Sequence, residues 1–490
     1  MELAELLRNL VHPSDQIPPE LKVDGLAYDS RRIRPNSVFV AIKGEKTNGN
    51  DYVPQAIKRG AVAIVSEDPC PEGCRVHWVK VGNARQALAS LAAHFYGLPS
   101  KKLHLIGITG TNGKTSTAYL IESIVKASGA RCGLISTIEY RGPEDTRVAD
   151  RTTPESLDLQ EMLADFVRKG CDFAVMEVSS HALAMERAYA TQFRSAVFTN
   201  LTQDHLDFHV TMENYFEAKK KLFLGTGLLP PSTSVINHDD PYGIRLEKVC
   251  TGRYFTCSLK SPADFHCAQV QIDSQAMQLL VETPRGRLEV RSALLGKPNQ
   301  SNILAALAVG CDLGFDDASL IHGIRSCSSI PGRFERIDQG QPFPVFVDYA
   351  HTPDALEKIL MTARELKPSR VFVLFGCGGE RDHGKRPQMA RVAERLSDVC
   401  VVTSDNPRGE DPATILAEIE AGFEVDPPRY IIEPDRKKAI GTILSLAKAG
   451  DLVLIAGKGH ETYQILPEGT VHFDDREEVR RALLEMGHPA

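Results

Sequence analysis

Short apolar runs recur along the chain, each closed by a polar or glycine-rich break and followed by residues whose apolar positions return at helical spacing. Leu103–Ser128 is the clearest case. Leu103, Leu105, Ile106 and Ile108 suit a buried strand, and Gly110-Thr111-Asn112-Gly113 forms a turn. From Thr115 the period changes: Leu120, Ile121, Ile124 and Val125 share one helical face, and Gly129 is a natural C-cap. Upstream, Val38–Gly44 and Ala61–Ser66 read as strands with a helix over Pro54–Arg59, and Ala84–Tyr96 has helical spacing before a linker at Gly97-Leu98-Pro99-Ser100. Downstream, Phe173–Met176, SAVFTN and Val235–Asp240 are strands or strand ends. Beyond residue 333 four apolar runs, VFVDYA, VFVLFG, VCVVTS and LVLIAG, alternate with helical segments, and each ends in a polar loop. This alternation predicts a doubly wound sheet with all four loops at one edge.

At 490 residues the chain is too long for one core, and its breaks divide it into 1–98, 99–332 and 333–490. The expected class is α/β in three domains, with a central P-loop ATPase-like domain and a C-terminal doubly wound, Rossmann-like sheet. The net charge of −7 argues against broad nucleic-acid binding. No apolar run approaches the ~20 residues that span a bilayer, and the acidic N-terminus lacks a basic leader, so no membrane insertion is expected. Eleven cysteines without a CxxC pair are consistent with reduced thiols in the cytoplasm. Cys70, Cys74 and His77 resemble half a zinc site without a second half, and a surface loop is the better reading.

Candidate chemistry begins at the strand–turn–helix of residues 103–128. Glycines let backbone N–H groups close on an anion, the helix N-terminus adds partial positive charge, and Lys114 can reach terminal phosphates. Thr115 would supply a hydroxyl to Mg²⁺. The spelling Gly110-Thr111-Asn112-Gly113-Lys114-Thr115 is tighter than the common P-loop, whose first glycine would fall at Ile108. Glu177 follows a buried strand, where a carboxylate is either a turn residue or a Mg²⁺ ligand. Asp204, His205 and Asp207 crowd one loop. Lys219 lies in a lysine triplet that, on its own, reads as a solvated helix face. Gly376-Cys377-Gly378-Gly379 lacks the dinucleotide fingerprint.

The segments GTNGKT, TTP, EVSSHAL, DHLD, the AK pair, PGRFE, DYAHTPD, DNPR and GKGHE occur in that order over nearly the whole chain. This set resembles the Mur ligase family, which includes folylpolyglutamate synthase and whose members use ATP to join an amino acid to a carboxylate. The resemblance places ATP on Gly110, Thr111, Asn112, Gly113, Lys114, Thr115, Ser116, Asn299, Asn302, Arg333 and Asp348. It makes Lys114, Glu177, His205, Lys219 and Arg333 catalytic, with Mg²⁺ held by Thr115, Glu177, His205 and Lys219 carbamylated to N6-carboxylysine. The UDP-sugar substrate falls to Ser30, Thr152, Thr153, Ser179 and Arg187, and the amino acid to Arg386, Asp405, Asn406, Pro407, Arg408, Gly457 and Glu461. Pro298 stands where many members carry His, and Met185 where some carry Gln.

Within the family the set is most similar to the branch that extends UDP-N-acetylmuramoyl-L-alanyl-D-glutamate by a third residue in peptidoglycan synthesis. That residue is meso-2,6-diaminopimelate or L-lysine, which differ by one distal carboxylate. Arg408 in DNPR can pair bidentately with a carboxylate, and this spelling belongs to diaminopimelate-adding members. The resemblance thus implies a cytoplasmic ligase acting as a monomer with ATP and Mg²⁺. A lysine-adding ligase, folylpolyglutamate synthase and a P-loop switch are the alternatives.

Overall fold

The computed structural model describes residues 1–8, 21–44, 47–273, 275–425 and 430–488. The chain separates into two compact units, one comprising Met1–Cys257 with Ala305–Asp316, the other Ser258–Leu304 with Asp317–Ala490.

The first unit holds a small parallel sheet of β1 (Gly25–Ala27), β2 (Ser37–Ala41), β3 (Ala61–Ser66) and β4 (His77–Lys80), in that order. The helix Ala84–Phe95 covers it with Ala87, Leu88 and Leu91 against Val38, Val40 and Val65. Asn83 caps that helix through its side chain.

The larger sheet of this unit is made of β5 (His104–Thr109), β6 (Cys132–Ile135), β7 (Glu139–Arg141), β8 (Thr146–Val148), β9 (Phe173–Glu177), β10 (Ser195–Phe198), β11 (Thr233–Asn237) and β12 (Arg253–Ser258). Its order is β12-β11-β10-β5-β9-β6-β7-β8, parallel from β12 to β6 and antiparallel from there. The runs are apolar on both faces because a parallel sheet is covered on both. β5 lies between β9 and β10, so the chain leaving β5 crosses one neighbour to reach β6 while the chain leaving β9 crosses β5 to reach β10. Such a switch point opens a crevice at the carboxyl edge.

The second unit contains an antiparallel meander, β13 (Phe265–Ile272), β14 (Met277–Thr283) and β15 (Gly286–Ser292). The alternating burial of β14 and β15 was open to reading in MQLLVET and GRLEVRS, a period-2 signal absent from the expectations above. The unit's main sheet joins β16 (Glu335–Ile337), β17 (Val345–Asp348), β18 (Val371–Phe375), β19 (Val399–Val402), β20 (Tyr430–Ile432) and β21 (Leu452–Ala456) in the order β16-β17-β21-β18-β19-β20. Only β16 is antiparallel; the rest run together. The four runs expected beyond residue 333 are β17, β18, β19 and β21, and their loops leave one edge. Helices Arg436–Leu446 and Asp475–Glu485 pack Ile440, Ile443, Val479 and Leu483 on Val345, Val347, Leu374 and Val453 of one face.

Among the described residues no helix is long and apolar enough to cross a membrane.

Candidate functional site

The loop after β5 is shaped by two glycines. Gly110 has φ +151°, and a Cβ there would lie 1.9 Å from Thr199 Oγ1; Gly113 has φ +86° at the start of the helix Lys114–Ala127. The chain after β10 braces this loop. Thr111 N donates to Asn200 O (2.8 Å), Asn112 N to Asn200 Oδ1 (3.0 Å), and Thr199 Oγ1 to Asn112 O (2.6 Å). Thr199 and Asn200 are positioning groups that the motifs did not single out. Lys114 Nζ folds back to Gly110 O and Thr111 O, both at 2.9 Å.

Lys219 corrects the solvated-face reading of the lysine triplet. It lies on the helix Met212–Leu224, 2 % exposed, and its Nζ donates to Gly110 O at 2.8 Å and sits 4.6 Å over the Tyr215 ring. Burial, and then the nearby Lys114, lower its pKa well below that of a free lysine. Only Lys220 and Lys221 of the triplet take surface partners, Glu217 and Glu186.

Glu177 ends β9 in register with Ile108 of β5 and is fully buried. Its Oε1 accepts from Thr137 N (2.8 Å) and its Oε2 from Thr137 Oγ1 (3.0 Å); among the described residues it has no cation partner. His205 begins the short helix Leu206–His209 with φ +54°. Its ring stands 4.8 Å from His181 and 6.1 Å from Tyr215, whose hydroxyl meets Thr111 Oγ1 at 3.2 Å. Desolvation lowers the His205 pKa, which favours the neutral ring. The carboxyl edge thus gathers Gly110–Ser116, Glu177, His205 and Lys219.

The expected UDP-sugar residues lie on the same unit. Thr153 Oγ1 donates to Glu177 O (2.9 Å) and accepts from Ser179 N (3.0 Å), while Thr152 Oγ1 meets Thr137 Oγ1 (3.1 Å). Arg187 pairs with Glu155 at 2.8 Å and donates to Thr153 O at 3.3 Å. Ser30 bonds Gln55 at 2.8 Å, and its turn is tied by Tyr28 and Arg32 to Asp158, on the helix that follows Thr153.

In the second unit Asn299 and Asn302 are buried and linked at 3.0 Å in the first half of the helix Lys297–Asp312. Pro298 occupies that helix's first turn, where no amide donor is needed. Arg333 lies 4.8 Å over the Tyr349 ring, and Asp348 accepts from Phe334 N (2.7 Å) and Ala350 N (2.8 Å).

The loops after β19 and β21 form one network. Asn406 Nδ2 donates to Glu461 Oε2 (3.0 Å), and the buried Lys458 Nζ donates to Asn406 Oδ1 (3.1 Å) and Glu461 Oε2 (3.2 Å). Lys458 was missed because a lysine inside GKGHE carries no distinguishing local signal. Gln464 Nε2 holds Asp405 O at 2.7 Å, and Gly457 lies against Asp405. Arg408, at φ +56° after Pro407, donates through Nη1 to Gly379 O (2.9 Å) and Asn406 O (3.3 Å); among the described residues it has no carboxylate partner. Arg386 differs. Its side chain is enclosed, and Nη1 and Nη2 bind Glu410 (both 2.7 Å) while Nη1 also binds Glu418 (2.7 Å). His383, Glu410 and Glu418 form a group with metal-like spacing, but the Arg386 guanidinium already fills its centre. Cys70 and Cys74 lie at or near the surface, as a loop requires.

Three family models match the chain in succession: the Mur ligase family catalytic domain over 22–96, the Mur ligase middle domain over 108–310 and the Mur ligase glutamate ligase domain over 332–459. The chain belongs to the Mur ligase family. It is an ATP-dependent ligase that forms amide bonds. A relative from Solibacter usitatus, named UDP-N-acetylmuramoyl-L-alanyl-D-glutamate–2,6-diaminopimelate ligase, is 45 % identical over 100 % of this chain and 99 % of its own. One of the same name from Geobacillus thermodenitrificans is 45 % identical over 94 % of each chain. A solved structure bearing that name superposes with a TM-score of 0.73 at 33 % identity, covering 100 % of this chain and 99 % of its own.

Proposed function

We propose that this Mur ligase joins an amino group of meso-2,6-diaminopimelate to the D-glutamate carboxylate of UDP-N-acetylmuramoyl-L-alanyl-D-glutamate, in peptidoglycan synthesis. The observation that carries the choice of amino acid is Arg408. Arg386 and Arg436 in the same loop cluster are matched by acidic side chains, whereas the Arg408 guanidinium retains donors for a carboxylate. Diaminopimelate brings a distal carboxylate there and lysine does not. The full-length relatives carrying that ligase name support the same choice.

A carboxylate cannot be attacked directly by an amine, because its oxygen is a poor leaving group. An oxygen of the D-glutamate carboxylate first attacks the γ-phosphorus of ATP, giving an acyl phosphate and ADP. The amine nitrogen then adds to the acyl carbon, loses a proton and expels phosphate. The loop Gly110–Ser116 and Lys114 stabilise charge on the migrating phosphoryl group. Asn299, Asn302, Arg333 and Asp348 hold the rest of ATP; Ser30, Thr152, Thr153, Ser179 and Arg187 hold the UDP-sugar peptide. Glu461, fixed by Lys458 and Asn406, takes an ammonium, with Asp405, Asn406, Pro407 and Gly457 completing the amino-acid site, while Arg386, enclosed by Glu410 and Glu418, orders the adjoining loops. We divide the chain into 1–98 for the UDP-sugar, 99–332 for ATP and 333–490 for the amino acid, a reading supported by the succession of the three family models.

Mg²⁺ fits this chain. Glu177 is a buried carboxylate without a cation among the described residues, the Thr115 hydroxyl opens the phosphate-binding helix, and the neutral His205 ring is a competent ligand. Lys219 would complete the set as N6-carboxylysine: a buried amine biased to neutrality can add CO₂ through its lone pair and release one proton, so a neutral amine becomes an anionic carbamate. When bound, Mg²⁺ neutralises phosphate charge. Eleven free thiols support a reducing compartment such as the cytoplasm, and a monomer carries every group named here.

The test is mass spectrometry of the product formed from the UDP-sugar dipeptide, ATP, Mg²⁺ and diaminopimelate. One added diaminopimelate residue per phosphate released is expected. ATP hydrolysis that needs neither the dipeptide nor the amine would return the chain to the P-loop switch reading.

A further inference from the structure

We propose that Arg436, locked to Asp475, is the positioning residue that fixes the loop after β19 against the loop after β21 and so sets the spacing of the amino-acid-binding groups. Both side chains are 0 % exposed, so neither can touch a substrate. Arg436 opens the helix Arg436–Leu446 and Asp475 opens the helix Asp475–Glu485. Arg436 Nε and Nη2 grip the two Asp475 oxygens, each at 2.7 Å. The remaining donors reach the strand ends: Nη2 to Ala456 O at 3.0 Å, the last residue of β21, and Nη1 to Ser404 O at 3.3 Å, two residues beyond β19.

β21 and β19 are not neighbours, because β18 lies between them. Farther out the two loops are bonded by Arg408 N to Ile465 O (3.0 Å) and Asn406 to Glu461, and Arg436 adds the tie at their roots, where no ladder joins the two strands. One leads into Asp405, Asn406 and Arg408, the other into Gly457 and Glu461. The loops close on each other at Gly457, where a Cβ would stand 2.8 Å from Asp405 Oδ2 and 3.7 Å from Arg436 Nη2. Gly376, at the exit of β18, has no room for a side chain because Thr403 O would lie 2.3 Å from its Cβ. A planar, multidentate guanidinium spans this gap; an ammonium has one nitrogen and cannot. A buried ion pair is weak evidence for stability, since apolar replacements of like volume are often tolerated, and its retention here goes with the geometry it imposes.

This inference rests on the amino-acid assignment above. It is tested in the full-length protein with Arg436→Lys and with the pair Arg436→Met, Asp475→Leu, which strands no buried charge. Amide hydrogen exchange is read at residues 403–410 and 456–465, and KM is measured for diaminopimelate and ATP. Exchange is expected to quicken about tenfold in both loops but not in residues 110–116, and KM for diaminopimelate to rise about tenfold with KM for ATP within about twofold. Unchanged exchange in either loop, or equal rises in both KM values, overturns the proposal. If the double variant does not fold, Arg436→Lys decides alone. If the wild type uses no diaminopimelate the functional reading fails, and the exchange pattern still decides this one.

Discussion

At the carboxyl edge of the first unit's sheet, cations rest on backbone. Lys114 and Lys219 both donate to Gly110 O, and among the described residues the buried Glu177 carboxylate is bonded by Thr137 alone. At the corresponding edge of the second unit, cations meet carboxylates: Lys458 with Glu461, Arg386 with Glu410 and Glu418, Arg436 with Asp475. Arg408 lacks such a partner among the described residues and donates to backbone carbonyls instead. The difference teaches what each edge is built to receive. Two amine donors beside a helix N-terminus suit a polyanion such as ATP. A nearly balanced network with one open arginine and one orientated glutamate suits a zwitterion carrying an extra carboxylate.

The largest effect should come from the first edge. Lys114→Ala is expected to lower kcat about 10²–10³-fold, the scale for losing one preorganised donor to developing charge. Phosphate release measured under saturating substrates checks this, and a loss under about threefold would break the contrast. Lys219→Met sharpens it by separating activity from stability. The native amine is fully buried and its charged form is already disfavoured there, so an apolar isostere removes an unfavourable polar burial. Activity should be lost while the melting temperature holds or rises; a large fall in melting temperature would contradict the charge reading. In ¹³C-bicarbonate, the wild type should show a carbamate carbon signal that Lys219→Met lacks.

The smallest effect concerns acid stability at the second edge. Hydrogen bonding to Arg386 holds the Glu410 carboxyl at about 2, below its ordinary 4.5. A depressed carboxyl pKa contributes stability that is complete above pH 4.5 and fades as pH falls through about 2. Urea midpoints across that window should fall less steeply for Glu410→Gln than for the wild type. Parallel curves would show that the pair carries no linkage.

The glycine turn after β5, the apolar parallel strands and the shared edge of the four C-terminal loops were legible because each is written in a local pattern. β13–β15 were not foreseen, being half-exposed and read only through weak alternation. Lys219, taken alone, was indistinguishable from its two neighbours in the triplet; what buries it is the loop after β5, more than a hundred residues away in sequence. Arg436 and Asp475 sit in PDRKK and FDDREE, charge runs that read as solvated helix starts, yet both side chains turn inward onto each other. Their burial is a tertiary fact with no local spelling. Thr137, which satisfies Glu177, was equally silent because threonine occurs at many turns.

The central claim is that one open arginine selects the amino acid. It is tested most directly by phosphate release with UDP-N-acetylmuramoyl-L-alanyl-D-glutamate, ATP and Mg²⁺, comparing diaminopimelate with lysine in the wild type and in Arg408→Ala. A charge-assisted bidentate pair is worth about 1.5–3 kcal/mol, so the wild type should prefer diaminopimelate by at least about tenfold in kcat/KM and the variant should lose that margin. Equal use of both amino acids by the wild type, or a preference that survives Arg408→Ala, would contradict it.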